Sequence, residues 1–327
     1  MNMYSVRTDL AIEAAALFNK TEQETGKLDG VTVKTAKEAD ITVTRVQVTT
    51  DNGAQAVGKP IGNYITIESP NLRENDEDAF ERTGALLSRE LKSVLRLKPN
   101  STVLVVGLGN WNVTPDALGP KVVSNLMVTR HLFEYIPDKL DKNLRPMCAV
   151  SPGVLGITGI ETSEIIKGIT DKVKPDVIIA IDALASRKTD RISTTIQIAD
   201  TGITPGSGIG NKRKGLNEEY LGVPVIAVGV PTVVDAATVA NDAIELLIAN
   251  IKAHADKASV IQNLATGFDI EHRYPLIKEV LSPYVGNLIV TPKEVDGIIE
   301  EVSKVIANGI NDAVLGQSPL EATQKPM

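Results

Sequence analysis

Cysteine occurs once in these 327 residues, at position 148. A lone thiol excludes a disulfide framework and a cysteine-rich zinc site within one chain. It sits in the apolar run MCAV, where a buried structural thiol is expected. Aromatic residues make up only 3% of the chain, which leaves few platforms for stacked bases and calls for an aliphatic core. Positive charge is also short. The 34 Lys and Arg against 41 Asp and Glu give a net charge of -7, so there is no footprint for a polyanion and no direct nucleic-acid partner is expected. Long apolar runs are missing as well. The chain opens MNMYSVRTDL without a signal-like region, and nothing approaches the roughly 18 apolar residues of a membrane span. A cytoplasmic protein with no membrane partner is the expectation.

What is present is an ordinary globular composition, 43% hydrophobic and 23% charged, at a length that suits one large α/β domain with additions. Thr8 or Asp9 is placed to cap a helix through LAIEAAALFNK. The period then changes to alternation in GVTVKTAKEADITVTRVQVTT and KPIGNYITIES, which predicts a small antiparallel region over residues 30–68. PNLRENDEDAFERTGALLSRELKSVLRL has helical spacing and ends at Lys98-Pro99-Asn100. From there strands and helices alternate over residues 101–313: STVLVVGLG, MCAVSPG, DVIIAIDAL and VPVIAVGV are each a short apolar run. The runs before ETSEIIKGITDKV and PTVVDAATVANDAIELLIANI read as strand-then-helix units. That pattern predicts a mainly parallel central sheet flanked by helices. Thr291-Pro292-Lys293-Glu294 reads as a capping box for the last helix. Residues 252–275 and the tail from Gly316 read as irregular surface.

The segment GLGNWNVTPDALGP at 107–120 follows the run VLVV and invites a dinucleotide-binding reading, but the pattern breaks. The third glycine of G-x-G-x-x-G would fall at Asn112, and MCAVSPG supplies no acid for a ribose. A nucleotide-binding module is therefore the weaker alternative, and no cofactor is expected. The loop offers instead Asp116, just after Pro115, at a helix start where unpaired N–H groups favour an anion. DVIIAIDALASR places Asp182 after Val177–Ile181, at the carboxyl edge where open α/β sheets bind ligands. Two carboxylates in one crevice do not ionise independently, so one can donate a proton while the other takes one from water. The bland alternative, two unrelated caps, stays open on spacing alone.

At these residues the sequence resembles a known family. GLGNWNVTPDALGPKVV, PGVLGITGIETSEII, PDVIIAIDALASR, TGITPGSGIGNKRKGLN, GVPVIAVGVPTVVDA and NLIVTPKEVDGIIEEV are similar to segments of the germination proteases of endospore-forming bacteria, from about Tyr4 to Ala313. The resemblance implies an endopeptidase of unusual aspartic type that degrades small acid-soluble spore proteins, with Asp116 and Asp182 essential. It also implies a homotetramer in the forespore and spore core, and a fold similar to hydrogenase-maturation peptidases. Those relatives use a metal-contacting histidine after a later strand. VPVIAVGVPT has none, and His131, His254 and His272 read as surface or packing residues, so metal-assisted cleavage is the weaker alternative and no metal is expected. Thr8-Asp9-Leu10-Ala11-Ile12-Glu13 resembles the family's substrate signature, an acidic residue followed by a hydrophobic one and Ala. The implied outcome is a self-cleaving zymogen, with residues 1–9 as pro-segment, scission between Asp9 and Leu10, and residues 10–327 as the peptidase body. The chain is shorter than the family pattern at 252–275.

Two further stretches are candidates for substrate binding. Lys212, Arg213 and Lys214 follow the glycine-rich GSGIG and form a basic loop suited to acidic substrate residues; Ser207 lacks G-x-S-x-G spacing and the loop lacks a P-loop ending. Gly153 and Gly156 in SPGVLGITGIETSE precede a helix, where exposed backbone N–H groups can hold a substrate backbone or supply an oxyanion donor.

Overall fold

The runs VLVV, VIIAID and VIAVGVPTVV are rich in β-branched residues, which are stiff about χ1 and pack better on a pleated surface than on a helix. The computed structural model describes residues 9–13, 30–74, 76–205, 214–254, 270–285 and 288–316 and places all three runs in one nine-stranded sheet. Its strands are β1 Val31–Glu38, β2 Ile41–Val48, β3 Gly62–Glu68, β4 Val103–Gly107, β5 Met147–Val150, β6 Val177–Ser186, β7 Thr195–Ala199, β8 Val225–Asp235 and β9 Ile289–Val290. Across the sheet the order is β1-β2-β3-β7-β8-β6-β4-β5, with β9 on β8. Strands β8, β6, β4 and β5 run parallel to one another. Strands β1, β2, β3, β7 and β8 pair antiparallel in turn.

The expected α/β class, with parallel strands flanked by helices, is the architecture observed. The antiparallel strands of residues 31–68 do not stand apart: β7 joins them edge to edge to the parallel strands. That connecting strand has no counterpart among those expected from sequence. Its residues TTIQIAD alternate, but polar Thr and Gln occupy positions that are buried in the fold.

The longer helices are α1 Asp51–Val57, α2 Glu77–Leu95, α3 Leu118–Ser124, α4 Thr162–Val173, α5 Ala236–His254, α6 Ile270–Val285 and α7 Val295–Leu315. Asp76 caps α2 by accepting from Ala79 N–H at 3.2 Å, and Glu77 and Asp78 complement the dipole of its first turn. Leu87, Leu91 and Leu95 recur on its buried face and meet α7. At Gly309 a Cβ would lie 2.8 Å from Leu87 Cδ2 and 3.2 Å from Gly84 O, so small residues let the two helices approach closely.

Alternation along β4 and β6 divides the core by face. Val103, Val105, Ile179 and Ile181 join α2, α3 and α7 on one side. Leu104, Val106, Ile178 and Ala180 join Ile166 of α4 and Leu216 on the other. A smaller cluster over the antiparallel strands gathers Ala11, Val46, Tyr64, Ala199 and Ala227.

Four local readings are corrected. The Thr291 hydroxyl does not cap α7; it donates to the Thr232 carbonyl at 2.9 Å, and α7 begins at Val295 without a side-chain cap. The strand VPVIAVGV runs on through Pro231 to Asp235, so α5 starts later than expected. Within 252–275, α5 extends to His254 and α6 begins at Ile270; residues 255–269, and the tail beyond Gly316, lie outside the described residues. Cys148 is half-buried on β5, its thiol directed to the Val103 carbonyl at 3.7 Å, and burial raises its pKa.

Leu87 of α2 is fully buried against Gly309 of α7. Leu87→Ala should cost about 2–5 kcal/mol by urea unfolding, whereas Lys92→Ala, on the exposed side of the same helix, should stay within about 0.5 kcal/mol.

Candidate active site

The sheet supplies the site through its strand order. After β4 the chain moves to β5 on one side, then returns to β6 on the other, so the β4–β6 boundary is the reversal point where open α/β sheets form a crevice. β4 stops at Gly107, opposite Ile181, and Leu108 N–H makes one more bond, to the Ile181 carbonyl, at 2.8 Å. β6 continues to Ser186. Both sequence-nominated carboxylates lie at this step.

Asp182 is the first residue of β6 past that last pair. It is 5% exposed, and its Oδ1 accepts from Ala183 N–H at 3.0 Å. Its partner in the ladder on β8 is Gly229, where a Cβ would lie 2.5 Å from Leu184 Cδ1. Asp116 ends the turn Thr114–Asp116 and is half-buried. That turn packs against β6 and β8. The Asp116 side chain is directed back along its own loop: Oδ2 accepts from Asn110 N–H at 2.8 Å, and the same N–H approaches Asp116 O at 3.1 Å. The N-cap of α3 is Ala117, with no side-chain cap bond. The reading of Asp116 as a plain cap of that helix is thereby replaced by a loop-closing role.

The loop glycines serve this closure. Gly109 has φ +114°, and a Cβ there would sit 2.0 Å from Asp116 O and 3.2 Å from Asp116 Oδ1. Gly107 and Gly119 are jammed together: a Cβ on Gly107 would lie 2.3 Å from Gly119 O, and one on Gly119 2.3 Å from Leu108 O. The glycines thus let α3 cross the end of β4 at backbone contact and set the carboxylate beside β4.

The segment 9–13 is anchored on the same strand, past Asp182. Asp9 N–H donates to the Ala185 carbonyl at 3.3 Å, and Asp9 Oδ2 accepts from Ala185 N–H at 3.0 Å. The Asp9 carbonyl accepts from Lys59 Nζ at 2.9 Å and from Gln197 Nε2 at 3.1 Å. Gln197 Oε1 in turn accepts from Ala11 N–H at 2.6 Å. Leu10 and Ala11 are fully buried. Glu13, also buried, accepts from Arg187 N–H at 2.9 Å and lies 3.3 Å from the Arg191 guanidinium. Burial lowers the pKa of Lys59, opposed by the nearby charges of Asp9 and Glu13.

Lys59, Gln197 and Arg191 were not singled out from sequence. Gln197 had a signal, a lone amide inside an apolar strand. Lys59 follows the left-handed Gly58 that ends α1 and had none.

The other candidates separate from this cluster. Gly153, with φ +75°, lies in the loop after β5, and Gly156 in the short helical turn Leu155–Thr158 that follows, with open space beside it and Ile157 exposed. Lys212 and Arg213 fall outside the described residues. Lys214 is exposed, with Nζ 3.8 Å from the Tyr220 ring centre, a cation–π contact. The exposed Trp111 and Val113 belong to the Asp116 loop. His131 is exposed, and the side chains of His254 and His272 are not among those described.

Gly119→Ala should cost about 1–3 kcal/mol, because Leu108 backbone cannot yield, and should lower any activity that depends on the Asp116 loop. Gly156→Ala, facing open space, should change stability by no more than about 0.5 kcal/mol. Urea unfolding measures both.

The chain is similar to known proteins over nearly its whole length. A family model described as germination protease matches residues 9–268 and 253–324. A germination protease of Clostridium tetani is 52% identical over 317 residues, 97% of this chain and 98% of that protein. One of Caldanaerobacter subterraneus subsp. tengcongensis is 54% identical over 309 residues, 94% of each chain. One of Bacillus cytotoxicus is 43% identical over 348 aligned positions, 96% of this chain and 95% of that protein. Among solved structures, a hydrogenase maturation protease from Thermococcus kodakarensis shares 21% identity over 44% of this chain and 80% of that one, with a TM-score of 0.28.

Proposed function

The chain belongs to the germination protease family, and from that premise we propose that it is an aspartic-type endopeptidase whose working pair is Asp116 and Asp182. The observation that carries the reading is their placement. One follows β4 and the other stands on β6, on either side of the reversal point of the sheet. One carboxylate, ionised, takes a proton from water as its oxygen attacks the scissile carbonyl carbon. The other, protonated, gives its proton to the amide nitrogen as the C–N bond breaks. The difference in burial, Asp182 buried and Asp116 half-buried, suits this division, because unequal environments separate the proton affinities of two acids.

The substrates in this reading are small acid-soluble spore proteins, in the cytoplasm of the forespore and spore core, cut after an acidic residue that precedes a hydrophobic one and Ala. The chain carries that pattern itself at Asp9-Leu10-Ala11, and the reading makes it a zymogen that removes residues 1–9 and leaves 10–327 as the active body. The exposed loop around Gly153 and Gly156 and the basic residues Lys212 and Arg213 are assigned to substrate contact. A homotetramer is the proposed assembly. It is supported by the apolar side chains of Leu246, Leu247, Leu276 and Val280, exposed on α5 and α6.

Asp116→Asn and Asp182→Asn should each lower kcat by about 10²–10⁴ on a peptide with an acidic-hydrophobic-Ala site, with unfolding midpoints close to wild type. Activity in excess chelator should persist. Wild-type kcat in either variant removes that aspartate from the mechanism. Mass spectrometry of active protein should find Leu10 at the amino terminus; an intact segment 1–9 in fully active enzyme ends the zymogen reading.

A further inference from the structure

The Asp9 carbonyl belongs to the very bond at which self-cleavage is proposed, and it is held in the uncut chain by two side chains. Lys59 Nζ donates to it at 2.9 Å and Gln197 Nε2 at 3.1 Å. Two donors converging on one carbonyl oxygen are the arrangement that stabilises the negative charge gathered there during acyl cleavage. One donor is cationic, and desolvation lowers its pKa, which makes its N–H the more acidic partner.

Sheet register connects one of these donors, Gln197, to one carboxylate, Asp182. Gln197 and Asp182 are each paired with Gly229, from opposite sides. Residues opposed in a row stand on the same face of a sheet, and two strand spacings separate the outer pair by about 10 Å. The residue between them has no side chain, and the Leu184 side chain fills the room this leaves, 2.5 Å from where a Gly229 Cβ would lie, so Gln197 and Asp182 flank Leu184 on one face. Asp9 enters the same neighbourhood through Ala185, two residues beyond the Ala183 N–H that Asp182 holds, roughly 7 Å along the strand. Ala11 completes the placement by packing with Ala199 and Ala227, which share the Gln197 face by alternation along β7 and β8.

We propose that Lys59 and Gln197 are catalytic residues: they hold and polarise the carbonyl oxygen of the bond to be cut, first in the chain's own Asp9–Leu10 and then in substrates of the same acidic-hydrophobic-Ala pattern. This rests on the reading of Asp116 and Asp182 as the proton-transferring pair. As water adds to the carbonyl carbon, the C=O π electrons move onto oxygen and the two N–H donors shorten against it. When the C–N bond breaks, those electrons return, the amine leaves with a proton from the acidic carboxyl, and neither Lys59 nor Gln197 gains or loses a proton. The second amide atom, Gln197 Oε1, fixes the side chain by accepting from Ala11 N–H at 2.6 Å. A substrate in the same place presents that same N–H, two residues after its acidic one.

The test uses the full chain as wild type, Asp182→Asn, Lys59→Met, Lys59→Arg, Gln197→Leu and Gln197→Glu. Release of residues 1–9 is timed by mass spectrometry, and cleavage of the peptide Thr-Asp-Leu-Ala-Ile-Glu is followed in trans. Lys59→Met, Gln197→Leu and Gln197→Glu should each lose about 10²–10³ in kcat, with KM changed less than kcat. Lys59→Arg, which keeps a cationic donor, should retain more activity than Lys59→Met. Gln197→Glu matches glutamine in shape, so its loss reports the missing donor even if Gln197→Leu folds poorly. Thermal unfolding separates folded from unfolded variants. If wild type processes itself and Asp182→Asn does not, yet Lys59→Met and Gln197→Glu keep wild-type kcat, this inference is overturned while the proposed mechanism stands. If wild type cuts neither itself nor the peptide, the proposed function fails and this inference falls with it.

Discussion

A mismatch in strand length organises this molecule: β4 ends at Gly107 opposite Ile181, and β6 runs on to Ser186. A strand that outlasts its neighbour leaves backbone N–H and C=O groups that must find other partners. Here Ala183 N–H is taken by the Asp182 carboxylate, and both polar groups of Ala185 are taken by Asp9. The chemistry-bearing side chains therefore gather where the ladder is incomplete. A loop from β4 can fold over that step only if it turns at once, which is why the backbone crossing at Gly107, Gly109 and Gly119 is so close.

The same crossing separates this loop from the phosphate-binding turns it resembles at first sight. In those turns glycine lets a ligand approach the backbone. Here the space that glycine frees is filled by the chain itself, by Asp116 O and Gly119 O. The Asn110 N–H, which would face a phosphate, is directed to the Asp116 carboxylate. A carboxylate bound inside the loop and a phosphate bound by the loop are mutually exclusive uses of one set of donors.

The sequence was most legible where local chemistry and tertiary packing agree. The apolar runs of β4, β6 and β8 are buried on both faces and read as such, and α2 showed its apolar stripe. The positions of Asp116 and Asp182 after strands followed from the same pattern. Legibility failed where a polar residue does a distant job. Thr291 has the spacing of a cap but spends its hydroxyl on Thr232, 59 positions away in sequence. Gln197 interrupts an apolar strand because its partners, Asp9 and Ala11, come from the other end of the chain. β7 was missed for that reason. No window of a dozen residues contains the contact that explains it.

The outer borders of the sheet are guarded in different ways. β1 exposes seven of its eight residues, Lys34, Lys37 and Glu38 among them, and charged side chains along a border strand discourage pairing with another chain. β5, at the opposite border, is four residues long, too short to template much of a partner. Both rims are thus poor templates for a further strand, and the flank of β6 past Gly107 is taken by the Asp182 carboxylate and Asp9. Each border of the sheet is in this way closed to strand addition, by charge at β1, by brevity at β5 and by the chain's own Asp9 on β6.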